Sequence, residues 1–288
     1  MRPSSGESLL SFSCHFSLRD VNKWQFRAAC AVRLDERIPV VYRPNDLLRL
    51  SEKSERVQVM FDRIAERYDL LNRLLSARQD VRWRKALVAK LPLQTDRQGI
   101  LFDIACGTGD VMLEVARRRQ DYAELRGYDI SFEMLKRGEA RPDIGKWVRK
   151  QNLRCSFTQA SAEAIPADAN SAHVVTISFG LRNVDNREQA LKDMFRVLKP
   201  GGRLLVLEFF QPHSTLFAKA FDFYFKNVLP KVGGLLSDRD AYQYLPASVG
   251  SMPSAEAFAQ TLQDIGFINV SQQMWLSGAT RLFVADKP

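Results

Sequence analysis

The sequence predicts an α/β fold: a seven-stranded, mostly parallel, doubly wound sheet with an antiparallel hairpin at one edge. Three observations predict it. Short apolar runs alternate with helical periodicity between about residues 99 and 209. A glycine-rich turn stands between the first such run and the helix after it. Near the C terminus, two strand-like runs are separated only by Ser277-Gly278-Ala279, a link short enough for a hairpin.

The elements follow in order. Residues 1–52 are an N-terminal extension with weak periodicity, a serine-rich start and a basic bias. Glu7, Asp20, Asp35 and Glu36 count against an organelle transit peptide, because those are poor in acids. The ordered domain is placed at 53–288. Its first helix carries Val57, Met60, Phe61, Ile64, Tyr68 and Leu71 at helical spacing. A second helix, Val81–Leu91, bears Arg82, Arg84, Lys85 and Lys90 and stops at Pro92. Strands are expected at Gly99–Ala105, Leu125–Asp129, Leu153–Gln159, His173–Phe179 and Arg203–Phe209, with helices at Val111–Arg119, Glu133–Glu139 and Asn186–Leu198. Lys199-Pro200-Gly201-Gly202 ends the last of these helices. An aromatic-rich insertion at about 210–250 is expected to cover the substrate. Helix Ser254–Ile265 and strands Ile268–Leu276 and Thr280–Ala285 close the chain.

Composition narrows the class. The 288 residues are 45% hydrophobic and 26% charged, enough to bury a full core. No apolar stretch reaches the ~18 residues of a membrane-spanning helix. The net charge of +9 is spread along the chain, which suits a solvated basic surface or an anionic partner. Cys14, Cys30, Cys106 and Cys155 form no C-x-x-C, and His15, His173 and His213 are far apart. No metal centre is expected, and a reducing compartment fits better than a disulfide framework.

Chemistry enters at Asp103-Ile104-Ala105-Cys106-Gly107-Thr108-Gly109-Asp110, which follows a strand and opens a helix. Gly107 and Gly109 leave no side chain between backbone and ligand. A dinucleotide turn usually has a third glycine, and Met112 stands there instead. Asp103 and Asp110 would repel a pyrophosphate. They suit a ligand with positive charge, and S-adenosylmethionine (AdoMet) has a sulfonium and an ammonium. Asp129 ends the next strand, where an acid accepts hydrogen bonds from ribose hydroxyls. Its competing role is to cap the following helix, which Ser131 serves equally well.

The pattern Asp103-x-x-Cys106-Gly107-Thr108-Gly109 with Asp129 resembles the Rossmann-like class I AdoMet-dependent methyltransferases. Further stretches are similar to the ubiquinone/menaquinone-biosynthesis C-methyltransferases: Met60–Ala65 with Tyr68-Asp69 and Asn72, Phe179–Val184, Arg196–Gly202 with Leu207–Phe209, and Tyr242–Ser248. The resemblance runs from about Ser54 to Asp286. It implies AdoMet as methyl donor, and C-methylation of a prenylated hydroquinone ring in quinone biosynthesis, the naphthoquinol and benzoquinol rings being left undistinguished. It also implies cofactor contacts at Thr108, Asp129, Ser161, Ala162 and Ser178, beside Asp103, Gly107 and Gly109, which the turn itself offers. Ser161 departs from the Asn or Asp common in the family.

Methyl transfer to carbon needs an electron-rich ring, which a hydroquinone becomes when a phenol loses its proton. Arg182 is the first candidate to stabilise that phenolate. Its competing role is an ion pair with Asp185 or Glu188. Tyr68 is the second candidate, with its hydroxyl reaching a buried pocket. His173 is expected to be structural. Transient membrane contact at the inner face, through the basic helix Arg82–Lys90, fits the substrate. A homodimer or a quinone-biosynthesis complex is compatible with this assignment. No nucleic-acid partner is expected, because no basic–aromatic RNA module is present. The alternatives are a class I methyltransferase of another small molecule or nucleic acid, and a non-catalytic subunit of a biosynthetic complex.

Overall fold

The computed structural model describes residues 40–41, 50–212, 223 and 248–288. Most of the 1–52 extension, and nearly all of the insertion expected at about 210–250, lie outside the described residues. The elements are β1 (Val40–Val41), α1 (Glu52–Ile64), α2 (Tyr68–Leu75), α3 (Gln79–Ala89), β2 (Gly99–Ile104), α4 (Asp110–Arg118), β3 (Tyr122–Asp129), α5 (Phe132–Glu139) and α6 (Pro142–Gln151). There follow β4 (Arg154–Gln159), β5 (Ala172–Ser178), α7 (Arg187–Val197), β6 (Leu198–Phe209), α8 (Ala255–Ile265), β7 (Ile268–Trp275) and β8 (Thr280–Asp286).

The strands lie in the order β1-β4-β3-β2-β5-β6-β8-β7. From β1 through β6 all neighbours are parallel, and β8 runs antiparallel to both β6 and β7. The seven expected strands are therefore present with their edge hairpin, and the two-residue β1 adds a parallel stub beside β4. Consecutive parallel pairing goes outward from β2 through β3 and β4, then restarts on the other side with β5. That reversal between β2 and β5 is a topological switch point, where crevices open at the carboxyl ends of the strands.

Period-two alternation sends the side chains of the central strands to two cores. Leu101, Leu125, Val174, Leu205 and Leu282 belong to a cluster with Trp83 and Leu87 of α3 and Val115 of α4. Phe102, Val175, Leu204, Val206 and Phe283 belong to a second cluster, with Leu191 and Met194 of α7 and Phe258 of α8. Strands buried on both faces explain the nearly continuous apolar runs in the sequence.

Two local features differ from expectation. The first helix does not run through Tyr68. It ends at Ile64, the Arg67 N–H turns back to the Ile64 carbonyl (3.0 Å), and Tyr68 opens α2 instead. Helix α6 had no predicted counterpart, because it offers only Ile144, Trp147 and Val148 as apolar signal. Its start is set by Pro142 in the first turn, where the missing N–H costs nothing, and its end by Asn152 in the left-handed region. Elsewhere caps match the sequence: Ser131, Asn186 and Ser254 each accept a backbone N–H in the first turn of α5, α7 and α8. Among the described residues, no helix is long and apolar enough to cross a membrane.

Glycine positions give a direct test of this packing. A Cβ on Gly127 in β3 would lie 2.7 Å from both Cys106 Sγ and Met112 Sδ, whereas one on Gly145 in α6 would meet only Arg149, at 3.4 Å. Gly127→Ala should lower stability by about 1–3 kcal/mol through overpacking. Gly145→Ala should raise it by roughly 0.5–1 kcal/mol through helix propensity. Urea unfolding of the two variants checks both signs.

Candidate functional site

A cleft with about 690 Å³ of empty space lies at the switch point. Its floor comes from the strand ends: Ala105 and Gly107 after β2, Asp129 and Ile130 at β3, Ala160 and Ser161 after β4, and Ser178 and Phe179 at β5. Val57 and Phe61 of α1 and Tyr68 of α2 close it from above. Helix α1 is pinned there by Asp62, which accepts hydrogen bonds from the Ser131 hydroxyl (2.5 Å) and the Glu133 N–H (3.3 Å). Lys53 also donates to the Val184 carbonyl (3.2 Å).

Asp129 stands in the cleft with both oxygens engaged. One accepts the Gly107 N–H (2.7 Å) and the other the Ser131 N–H (2.8 Å). Burial pushes its carboxyl up to about 6, against the lowering by those two N–H groups. Ser131 itself caps α5, so Asp129 is not spent on the helix. Asp103 lies beneath the floor, 1% exposed. Thr176 donates to one of its oxygens (2.6 Å) and the other has no protein partner. Burial raises its carboxyl to about 7.

The remaining expected cofactor residues divide. Gly107, Ser161, Ala162 and Ser178 line the cleft. Gly107 is left-handed (φ +55°) and a Cβ there would meet nothing within 4 Å. The Ser178 hydroxyl is buried without a partner, and the Ser161 hydroxyl accepts the Glu163 N–H (3.2 Å). Gly109 and Thr108 are not among the residues that line the cleft. Gly109 is glycine because of its φ of +81° and because a Cβ would lie 2.9 Å from Ile144 and 3.0 Å from Phe157. Thr108 turns its hydroxyl away, donating to Asp69 (2.8 and 3.0 Å).

Asp110 also requires correction. It does not face the cleft, so it adds no attraction for a cationic ligand. Arg73, Arg84 and Arg141 surround it at 3.1, 3.2 and 2.7 Å. Its carboxyl sits below the usual range: burial alone would raise it, and Arg84 and Arg141 reverse that. Arg84 is buried and also pairs with Asp80 (2.6 Å), so it leaves the basic face of α3 to Arg82 and Lys85, which are exposed.

Arg182 is neither free nor paired with Asp185 or Glu188. Its guanidinium donates to Glu208 (2.7 Å) and to the Phe179 carbonyl (2.5 Å), while Glu208, fully buried, also accepts the Arg182 N–H (3.1 Å). The charge expected to meet a phenolate is thus balanced inside the protein. Tyr68 lines the cleft, packs edge-on to Phe61 at 5.8 Å, and hydrogen-bonds the Asn72 side chain. Burial raises its phenol, with Arg182 opposing, so it stays protonated near neutral pH. His173 is structural, as expected: its Nδ1 accepts the Ile100 N–H (3.1 Å) and its Nε2 lies 3.0 Å from Lys199. The prediction missed Asn183, which lines the cleft with its side-chain oxygen buried and unpartnered. It lay inside the Phe179–Val184 signature, which was the available signal. Among the described residues no His, Cys, Asp or Glu cluster could hold a metal ion.

The donor set fits AdoMet. There is an open glycine at the turn, an acid with spare lone pairs at the end of β3, an unpartnered buried hydroxyl at Ser178, and an apolar slot from Ile130, Met134 and Ala162. Fold and site together define a class I AdoMet-dependent methyltransferase. A family model, the ubiE/COQ5 methyltransferase family, matches residues 49–287. A ubiquinone/menaquinone biosynthesis C-methyltransferase UbiE of Geotalea daltonii is 41% identical over 241 residues, covering 84% of this chain and 100% of that protein. A demethylmenaquinone methyltransferase of Thermus thermophilus is 41% identical over 234 residues, covering 80% and 100%. The chain belongs to the ubiE/COQ5 methyltransferase family. A solved SAM-dependent methyltransferase of Thermotoga maritima, described as a possible histamine N-methyltransferase, superposes with a TM-score of 0.55 over 80% of this chain and 99% of that one. At 18% identity, that likeness speaks for the fold alone.

The buried ion pair sets an expectation for stability. Arg182→Ala leaves Glu208 charged and uncompensated, and should cost about 3–5 kcal/mol in urea unfolding. Replacing both, Arg182→Met with Glu208→Leu, should cost clearly less. A neutral single variant would show that the pair does not hold the loop.

Proposed function

We propose that this protein transfers the methyl group of AdoMet to a ring carbon of a prenylated hydroquinone, demethylmenaquinol or the equivalent ubiquinone precursor. The observation that carries this is a single cleft with two chemically distinct linings. Its polar lining is Gly107, Asp129 and Ser178 of the floor; its aromatic lining is Phe179 beside them and Phe61 and Tyr68 above, with Asn183. The names and identities of the two relatives support the same substrate class.

When bound, AdoMet supplies a methyl group on a positively charged sulfur. Asp129 accepts from the ribose hydroxyls through its remaining lone pairs. Ser178 and the Gly107 backbone border the rest of the cofactor, and Asp103 supports the floor as a buried acid. The Tyr68 phenol, held protonated, donates to a ring oxygen and stabilises charge as it develops. The Asn183 oxygen accepts from a ring hydroxyl. Transfer of that methyl group to a ring carbon would leave the bond electrons on the sulfur, as S-adenosylhomocysteine, and the proton lost from the ring carbon as aromaticity returns would pass to hydroxide or water. Arg182 contributes by holding Phe179 and Asn183 in place. Apolar walls keep water from the ring and fix it in line, an arrangement that supplies up to ~7–11 kcal/mol in favourable cases.

We further propose transient contact with the membrane that carries a prenylated substrate. Leu70 and Leu74 of α2 are 61% and 58% exposed one helical turn apart, next to Tyr68, and Arg78, Arg82 and Lys85 are exposed nearby along the chain. Each basic residue at an anionic surface contributes roughly 1 kcal/mol.

Labelled AdoMet and demethylmenaquinol test the activity. Label should appear in a lipid-extractable product; label found only in RNA, DNA or another small molecule rejects the assignment. Asp129→Ala should weaken AdoMet binding by about 10–100-fold, the range for hydrogen bonds to a charged group. Because the Asp129 carboxyl titrates at about 6, AdoMet affinity should be full above that pH and fall as pH drops through it, where protonation removes the charge and an acceptor. Calorimetry at pH 5.5 and 7.5 measures this. A slope that persists in Asp129→Asn assigns the effect to another group.

A further inference from the structure

The turn after β2 and the wall carrying Tyr68 are joined by a polar clasp that transfers no methyl group. Thr108 follows Gly107, yet its hydroxyl leaves the cleft and donates to Asp69 at 2.8 and 3.0 Å. Asp69 follows Tyr68 in α2. Arg141 supports both ends: it reaches the Thr108 carbonyl (3.2 Å) and lies 3.7 Å from the Asp69 carboxylate. A second rung runs beside the first, from Arg73 on α2 to Asp110 (3.1 Å). Burial and the neighbouring Asp110 raise the Asp69 carboxyl above its ordinary range, and the Thr108 hydrogen bond, together with Arg141 and Arg73, works against that rise.

Helix α2 needs such a clasp. It has eight residues, no side-chain cap at its N-terminal end, and two exposed leucines. A helix so short has little stability of its own. Its N-terminal residue nevertheless places a phenol in the cleft.

We propose that Asp69 is a positioning residue: the hydrogen bond from Thr108 sets the spacing between the cofactor turn and the Tyr68 hydroxyl, which holds a ring oxygen and so aligns the substrate carbon with the methyl donor. This rests on the quinol-methylation assignment. In-line transfer is sensitive to such spacing, since a misplacement of about 1 Å can cost roughly 100-fold in rate.

The test compares Asp69→Ala, Asp69→Asn, Thr108→Val and the Asp69→Ala/Thr108→Val pair by kinetics with demethylmenaquinol and by AdoMet calorimetry. Each of Asp69→Ala and Thr108→Val should lower kcat by about tenfold or more while AdoMet Kd stays within about threefold, the loss expected for one hydrogen bond to a charged acceptor. The double variant should be no worse than the worse single, because both remove one interaction. Asp69→Asn keeps an oxygen for the Thr108 hydroxyl and should recover most of the rate. In a Tyr68→Phe background, Asp69→Ala should cost less than about threefold, since it acts through the Tyr68 hydroxyl. Losses that multiply, AdoMet affinity that collapses with kcat, or an Asp69→Ala enzyme as active as the wild type each overturn the proposal.

Hydrogen exchange over residues 68–75 gives a readout without turnover. It should rise in Asp69→Ala and Thr108→Val and not in Asp69→Asn, and unchanged exchange in all three overturns the clasp. If Asp69→Ala does not fold, Thr108→Val and Asp69→Asn decide by the same criteria. Wild-type protein that leaves demethylmenaquinol unmethylated sinks the substrate assignment, and the exchange pattern then judges the clasp alone.

Discussion

One carboxylate ties three strand ends together at the cleft. Asp129 accepts the Gly107 N–H from the turn after β2 and the Ser131 N–H at the start of α5, while its carbonyl accepts the Ala160 N–H beyond β4. Burying an acid is costly unless its oxygens are satisfied, and backbone N–H groups from two segments satisfy them here. The turn around Gly107 is thereby held in an open, left-handed form without a ligand. Ser131 makes this feasible by capping α5 itself. Had Asp129 been the cap, its oxygens would point down the helix instead of across the switch point.

Charge near the turn is sorted by depth. Asp110 begins α4, where an acid suits the helix dipole, and three arginines converge on it from α2, α3 and the residue before α6. Asp110 is thus neutralised; Glu163 lines the cleft, and of the two acids buried at it, Asp103 lies beneath the floor and Asp129 stands in the lining. Both have raised pKa values, about 7 and about 6, because burial disfavours the charged form. A sulfonium and an ammonium would reverse that penalty on binding, and a pyrophosphate would deepen it. The preference for AdoMet therefore lies in two carboxylates that lack a cation of their own, and acid count along the turn overstates it.

Much of this was legible in the chain. The central strands β2, β5 and β6 were readable because both of their faces are largely apolar, and the turn because two glycines follow a strand and open a helix. What stayed hidden are contacts between distant segments. Nothing in Thr108 announces that its hydroxyl serves Asp69, 39 positions away. Gly109 looks like a ligand-facing glycine and is instead a packing one, since the rings and methyls it avoids come from β4 and α6. Arg182 and Glu208 both stood in recognisable stretches, but only the parallel pairing of β5 with β6 brings them together. The break between α1 and α2 was invisible for a simpler reason: the apolar spacing continues across it.

That buried pair explains a strained stretch of backbone. Ala105 and Phe179, at the exits of β2 and β5, both have left-handed conformations (φ +50° and +58°), which cost a non-glycine residue roughly 1–2 kcal/mol. The two exits pass so closely that a Cβ on Gly180 would lie 2.4 Å from the Ala105 Cβ. Phe179 is held in this form from three sides. Its N–H donates to the Leu207 carbonyl (2.7 Å), its carbonyl accepts from Arg182 (2.5 Å), and its ring packs on Phe209 at 4.8 Å. Glu208 in turn fixes Arg182 through both its guanidinium and its backbone N–H. The sharp exits turn the chain away from the strand axes at the switch point, which leaves the space the cleft occupies. An arginine paired with a buried glutamate thus still bears on chemistry, by holding the backbone that shapes the site.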